Sequence, residues 1–395
     1  MKFVHICEEF EYTWIGKDNG MIPIYAHNVL GFESEIVTCN LKEDLPQDIR
    51  GVKIIKIPRL FKKMKKFAPW VMFFKRIPLY RYISKNAKDI DVLMLFHITK
   101  CSYWNAFFYK RFNPNGKIFI KADFNLEVYE KEIQKTQMKP KNLREFFRKR
   151  REIKEYDKRK KLVSMANLIS YETEEAYEKM KDSYAGVSTK GKTIMLPNGY
   201  DDLLIEKKFK LKNYSEKENI FLTVGRLGTE EKNTEFLLKV LEKVELKDWK
   251  FFFVGGIENK FQKKIDDFFQ KFPEKKEQII FTGIVKDRDV LYEYYNRSKV
   301  FILPSKWESF GIVMVEALAF NNYILTSNTC AAKDITNSEE VGEIFSIVNE
   351  NELIEKVTKI IKREVDLKKK ESLISSYKNR FKYSSIIKSL NLGDY

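Results

Sequence analysis

The sequence predicts an α/β protein built from two parallel-sheet domains, and three observations carry that prediction. Short apolar runs of strand length alternate with helical patterns along the chain. At 395 residues the chain exceeds one ordinary core and is comfortable for two. Residues 300–317, VFILPSKWESFGIVMVEA, pass from an apolar strand through a polar turn into an apolar helix, as a strand–helix junction of a buried parallel sheet does.

In the first half the strand-like runs are residues 3–7, 35–39, 52–57, 92–96, 118–122, 168–171 and 194–196. In the second half they are residues 220–224, 251–254, 279–281, 300–303, 323–326 and 343–345. Helical patterns such as 235–244 and 290–296 separate them, so parallel sheets with right-handed crossovers are expected. No internal repeat is evident. Ligands in such folds bind at the carboxyl ends of strands. That rule draws attention to His97 after residues 92–96 and to Glu308 after residues 300–303.

Glu308 precedes the helix of the 300–317 segment, and Glu316 lies eight residues further on, about 12 Å along a helix axis. A helix start leaves backbone N–H groups unpaired and carries the positive end of the dipole, so the amides around Ser309, Phe310, Gly311 and Ile312 form an anion site. Two carboxylates beside it would repel a bare phosphate. They suit a ligand with hydroxyls on both sides of its phosphates, as a nucleotide sugar has. A glutamate at a helix start is also an ordinary cap, so other segments must decide.

Those segments resemble the retaining GT-B glycosyltransferases of family 4, the glycosyl transferases group 1. Glu308-x7-Glu316 after a strand ending in Pro-Ser is similar to that family's signature. TVGRLGTEEKN (223–233) resembles the loop whose Arg and Lys grip the donor diphosphate, here Arg226 and Lys232. FFFVGG (251–256) resembles the next strand and glycine turn; FTGIV (281–285), which includes Ile284, resembles the segment that meets the base. LPNGYD (196–201) resembles the opening of the second domain. The matches keep the family's order over about half the chain.

The resemblance implies two Rossmann-like domains facing across a cleft. Residues 1–195 would form the acceptor and membrane-facing domain, 196–372 the nucleotide-sugar domain, and 373–395 helices returning to the first domain. It implies that Arg226 and Lys232 neutralise the donor phosphates and the growing charge of the leaving group. Glu316 would accept from ribose hydroxyls and Glu308 would orient the donor sugar. His97 resembles the family's histidine beside the reacting centre. Gly20, and more loosely Gly16, match its first glycine loop, with Gly20 on the donor side and Gly16 on the acceptor side. Asp123 would hold the acceptor or act as its base. Retention would follow from front-face displacement, with the departing phosphate oxygen taking the acceptor's proton. No cofactor or metal is implied, because lysine and arginine supply the counter-charge.

Several alternatives fall away. The N-terminus, MKFVHIC, reads as a first strand and not as a signal peptide. No apolar run approaches the ~20 residues that span a bilayer. Cys7, Cys39, Cys101 and Cys330 lie far apart and read as buried thiols of a reducing compartment. With 3 histidines and no clustered thiols, a zinc site is not expected. Residues 186–193, GVSTKGKT, satisfy the P-loop expression, but a helical pattern precedes them and a strand follows, the inverse of a P-loop. Asp287-Arg288-Asp289 imitates a metal-binding aspartate pair at what reads as a helix start, where acidic residues are favoured anyway.

Charge is unevenly spread: residues 1–200 hold 39 Lys and Arg against 24 Asp and Glu, which accounts for +15 of the net +17. Within residues 59–82, Lys62, Lys63, Lys65 and Lys66 are interleaved with Phe67, Trp70, Phe73 and Phe74. Such a segment suits the headgroup region of an anionic membrane, where each basic residue contributes about 1 kcal/mol. A second basic run, 139–161, carries interspersed glutamates and reads as a solvated helix. Nucleic acid would attract the same charges, but no nucleic-acid fold signature accompanies them.

The expected function is therefore transfer of a sugar from a nucleotide-sugar donor, with UDP the first expectation, to a lipid-linked or cell-surface glycan. It would take place in the cytoplasm, with the enzyme held peripherally on the inner face of the cell membrane. Two other classes stay open: a nucleotide-sugar epimerase on the same fold, and a catalytically silent protein that binds anionic membranes.

Overall fold

The computed structural model describes residues 1–42, 44–60, 69–123, 129–131, 133–134, 140 and 142–392. The chain divides into two units, one of Met1–Asn198 with Tyr383–Tyr395 and one of Gly199–Lys382.

The first unit is built on an eight-stranded sheet. Its strands are β1 (Lys2–Ile6), β2 (Glu33–Thr38), β3 (Asp48–Ile49), β4 (Val52–Lys56), β5 (Val92–Phe96), β6 (Lys117–Ala122), β7 (Leu168–Tyr171) and β10 (Thr193–Met195), with β8 (Ser183–Tyr184) and β9 (Val187–Ser188) pairing separately as a hairpin. The order is β10-β7-β6-β5-β1-β2-β4-β3, and only the β3–β4 pairing is antiparallel. Period-two alternation sends Val4, Ile6, Leu93, Leu95, Ile118 and Ile120 to one face. Phe3, Val92, Met94 and Phe119 go to the other. Both faces are covered by helices, which is why these strands read as nearly continuous apolar runs. The returning C-terminal helix, Tyr383–Ser389, places Tyr383, Ile386 and Ile387 in the second of these cores.

The second unit carries six parallel strands: β11 (Glu218–Val224), β12 (Lys250–Val254), β13 (Ile279–Gly283), β14 (Ser298–Leu303), β15 (Tyr323–Ser327) and β16 (Gly342–Phe345). Their order is β13-β12-β11-β14-β15-β16. One core runs through the unit, from Phe221 and Trp249 to Val300, Phe301, Leu318 and Ile360. The α/β class with two parallel sheets is thus as expected. Strand order steps from β11 to β14, a topological switch point whose carboxyl ends are the natural place for a ligand. The helix Leu367–Tyr377 belongs to this second unit, so the return to the first begins at Tyr383 and not near residue 373.

Local chemistry accounts for the helix starts. Asn142 caps Leu143–Met165 by accepting from the Glu145 N–H at 2.9 Å, and Thr99 caps Lys100–Phe112 by accepting from the Ser102 N–H at 3.1 Å. Leu143–Met165 takes in most of the second basic run, and among its residues only Leu162 and Val163 are buried. Residues 186–193 hold part of a hairpin and lead into β10, so no helix follows them as a P-loop requires. Cys7 and Cys39 are buried, whereas Cys101 and Cys330 are only half-buried; none of the four is in a disulfide. Among the described residues no helix is long and apolar enough to cross a membrane.

Candidate functional site

In the second unit the loop after β11 and the end of β14 bring three of the expected donor residues, Arg226, Lys232 and Glu308, together around Glu231. Lys232 donates to Glu308 Oε1 and lies 3.2 Å from Glu231 Oε1. Glu308 is nearly buried and also accepts from Ser305 Oγ at 2.7 Å. Asn233, in the left-handed region at φ 49°, ties the same loop to β14 by donating to the Pro304 carbonyl at 3.1 Å. Arg226 remains largely exposed, with Nη2 2.6 Å from Glu231 Oε2. Glu231 thus holds both cations of the loop.

Gly311 opens the helix at φ 85°, a conformation that strains any residue with a Cβ. It turns the chain so that Ser309, Phe310, Gly311 and Ile312 run into the helix start. Phe310 is fully buried against Phe381, with ring centroids 6.4 Å apart, so its ring anchors the turn and leaves only its backbone for a ligand. Ile284, beyond β13, is 71% exposed.

Glu316 is buried within the helix and is already engaged. Arg288 donates to its Oε1, and Tyr295 donates to its Oε2 at 3.2 Å. Burial works against the Arg288 guanidinium, yet the Glu316 carboxylate and Tyr292 together raise its pKa. Arg288, Tyr295, Ser305 and Glu231 were not among the residues singled out. The sequence did contain a signal for Arg288, since Asp287 caps its helix by accepting from the Asp289 N–H at 2.8 Å and so fixes where Arg288 starts.

The first unit holds the remaining candidates. His97 follows β5 with a positive φ of 62°, uncommon for a residue with a Cβ and frequent where function constrains the backbone. Its Nδ1 lies 3.2 Å from the Asp123 carbonyl, which assigns the proton to Nδ1 and leaves Nε2 as the acceptor. Burial lowers the His97 pKa, with Asp123 opposing, so the ring is neutral at pH 7. Asp123 follows β6 and is half-buried.

Gly20 is not at a loop tip but inside the helix Asp18–Asn28, where its N–H donates to the Lys17 carbonyl at 2.8 Å. A Cβ there would fall 2.3 Å from the Ile15 carbonyl oxygen, so this glycine is needed for close packing of its own loop. Gly16 sits in the turn before that helix.

Of the expected membrane residues, Lys62, Lys63, Lys65, Lys66 and Phe67 lie outside the described residues, as does the Trp70 side chain. Phe73 packs against Trp104 and Tyr80 at 5.1 and 5.2 Å, while Phe74 is 44% exposed.

Comparison with known proteins bears on the fold and the family. Residues 205–380 match the sequence model of the family described as Glycosyl transferases group 1. The chain is 24% identical over 190 residues to the capsular polysaccharide biosynthesis glycosyltransferase CapM of Staphylococcus aureus, which spans 46% of this chain and 49% of that one. Across its curated relatives the match spans between 28% and 49% of the relative's own length. Two solved structures are similar over nearly the whole chain. One is the lipopolysaccharide outer core galactosyltransferase WaaB in its apo form, at TM-score 0.67 and 15% identity over 99% of this chain and 98% of that one. The other is Alr3699/HepE of Anabaena in complex with UDP, at TM-score 0.66 and 14% identity over 99% and 98%. Residues 205–380 therefore form a glycosyl transferases group 1 domain, on a chain with the fold of the GT-B glycosyltransferases.

Proposed function

We propose that this protein is a retaining glycosyltransferase that moves a sugar from a nucleotide-sugar donor to a lipid-linked or cell-surface glycan. The observation that carries the reading is the Lys232–Glu308 pair, set at a helix start inside the group 1 domain. A diphosphate entering there would displace Glu231 from Arg226 and Lys232 and take both cations. Arg226 can meet phosphate oxygens through two N–H groups, which a lysine cannot. Glu308 would then be released towards the sugar hydroxyls, while Glu316, held by Arg288 and Tyr295, would present its carboxylate to the ribose.

UDP is the proposed nucleotide, supported by a solved relative of this fold that holds UDP. A glycan acceptor is supported by the names of CapM and WaaB, which act in capsule and lipopolysaccharide assembly. The proposed chemistry is metal-independent electrostatic stabilisation of the departing phosphate, which returns as the base for the acceptor hydroxyl. His97, neutral and with its Nδ1 proton held by the Asp123 carbonyl, is proposed to steady the donor sugar, and Asp123 to orient the acceptor. The basic, aromatic segment around residues 62–74 is proposed to hold the protein peripherally on the inner face of the cell membrane.

The test is release of UDP from a panel of UDP-sugars in the presence of extracted membrane glycolipid, with the product's anomeric configuration read by NMR. Arg226→Ala and Glu316→Ala proteins that stay folded and transfer sugar at the wild-type rate would sink the reading. Co-sedimentation with anionic but not neutral vesicles tests the membrane clause, and equal binding to both would remove it.

A further inference from the structure

The first unit buries one ammonium group among two carboxyls. Lys121, on β6, is fully buried, with Nζ 2.9 Å from Asp18 Oδ2 and 3.0 Å from Glu172 Oε1. The same Nζ donates to Asn198 Oδ1 at 2.9 Å and reaches the Leu196 carbonyl at 3.3 Å. Its three protons are thereby fully used. Asp18 has a further donor, the Tyr383 hydroxyl, 2.5 Å from its Oδ1. Glu172 has none: among the described residues nothing donates to its Oε2, although that oxygen is buried. A second acid, the Asp123 carboxyl, lies close enough to raise the Glu172 carboxyl through charge and hydrogen bonding.

One buried cation neutralises one carboxylate. If Asp18 and Glu172 were both ionised, with Asp123 beside them, the pocket would carry uncompensated negative charge, which is costly where water does not reach. A proton on Glu172 Oε2 removes the excess charge and at the same time gives Asp123 a donor. Asp18 already accepts from the Tyr383 hydroxyl and lies 2.9 Å from Lys121 Nζ, whereas a proton on Glu172 would also serve Asp123.

We propose that Glu172 is a neutral acid in the folded chain, that it donates its proton to the Asp123 carboxylate, and that it is a positioning residue for the Asp123–His97 segment. The last clause rests on the transferase reading above; the first two do not. Burial, opposed by Lys121 and reinforced by Asp123 and Asp18, pushes the Glu172 carboxyl up to about 8, in agreement with this geometry. The groups facing it are Lys121 and Asp123 from β6 and its end, Asp18 from the first helix, and Asn198 and Tyr383 one contact further out. Holding the Asp123 side chain fixes its carbonyl, which is the partner of His97 Nδ1 at 3.2 Å.

The sign of the pH dependence follows from linkage. The folded state binds the Glu172 proton up to about 8, whereas the unfolded carboxyl loses it near 4.5. The folded state therefore holds more protons across that window, and the Glu172 contribution to stability falls as pH rises through it. The experiment compares thermal melts of the full chain and of Glu172→Gln at a series of pH values across this window, together with their carboxyl infrared spectra. Gln keeps an acceptor for Lys121 and a donor for Asp123 but cannot ionise.

The expected result is a wild-type melting temperature that drops relative to the Gln variant with rising pH, and a protonated-carboxyl band at neutral pH that vanishes in the variant. A variant that melts several degrees lower at every pH, with a constant difference and no such band, overturns the proposal. Neither readout needs substrate, so they decide the protonation state even if sugar transfer is never observed. Where transfer is measured, the alkaline limb of the wild-type pH–rate profile should disappear in Glu172→Gln, and an unchanged limb would overturn the positioning role.

Discussion

Lys232 and Glu308, 76 residues apart in sequence, form an ion pair at the start of the helix Ile312–Ala319, and the same lysine lies 3.2 Å from Glu231. In the proposed function, a donor diphosphate would compete with this carboxylate for the lysine. Among the described residues, removing the lysine leaves a nearly buried Glu308 with the Ser305 hydroxyl as its remaining partner. Lys232→Met should therefore lower the melting temperature and weaken nucleoside diphosphate binding at least about tenfold, or ~1.4 kcal/mol. Calorimetry and thermal melts read the two effects; no change in either would mean the pair is incidental.

Arg288 should prove necessary for Glu316. In Arg288→Met, among the described residues, the buried Glu316 carboxylate keeps only the Tyr295 hydroxyl. Because the Arg288 side chain is 41% exposed, the expected loss is moderated by solvent, to about 1–2 kcal/mol in urea unfolding. Adding Glu316→Gln to the same chain should recover most of it. A purely additive double mutant would contradict the coupling.

His5 gives a stability signal at acid pH. It is fully buried between Asn19 Oδ1, 2.9 Å from Nε2, and the Met94 carbonyl, 3.3 Å from Nδ1. Burial lowers its pKa from 6.5 to about 4, with both hydrogen bonds opposing. Between those values the unfolded state binds more protons, so this contribution is present above pH 6.5 and is lost as pH falls towards 4. The loss should approach about 3 kcal/mol and be absent from the acid limb of His5→Gln.

Lys217 predicts the opposite end of the scale. Its Nζ donates to the Phe320 and Ser298 carbonyls at 2.6 and 2.7 Å, and burial pushes it down to about 7. Unfolded, it holds its proton to 10.5, so wild-type stability should rise with pH between about 7 and 10.5 relative to Lys217→Met. The rise should be about 2–3 kcal/mol by pH ~9. Near pH 7 the variant should be less stable, because those carbonyls lose their donor.

The strands were legible because a parallel strand covered on both faces is an uninterrupted apolar run, and residues 92–96 and 168–171 coincide with β5 and β7. The placement of Arg226, Lys232 and Glu308 in the loops that follow strands, and of Glu316 within the apolar helix, was legible because local chain geometry sets it. The side chains that hold them were not. Arg288 meets Glu316 across 28 residues, and Lys121, Asp18, Glu172, Asn198 and Tyr383 converge from separate elements of one unit. No local pattern marks such a meeting. Of the two lysines in KIFIKA, Lys121 lies on the interior strand β6 and is fully buried, which nothing in the local sequence marks. Gly20 looked like a ligand loop for a similar reason, since a glycine needed for its neighbour Ile15 has the same appearance in sequence.

The central claim is a nucleotide-sugar site in the second unit, and isothermal calorimetry of UDP against the wild-type chain and Glu316→Ala tests it most directly. The account predicts saturable binding of UDP to the wild type and at least about a tenfold weaker Kd in the variant, ~1.4 kcal/mol. Titrations of GDP and ADP alongside would identify the base. Absence of binding by all three nucleotides to a cooperatively folded protein, or equal UDP affinity in Glu316→Ala, would contradict it.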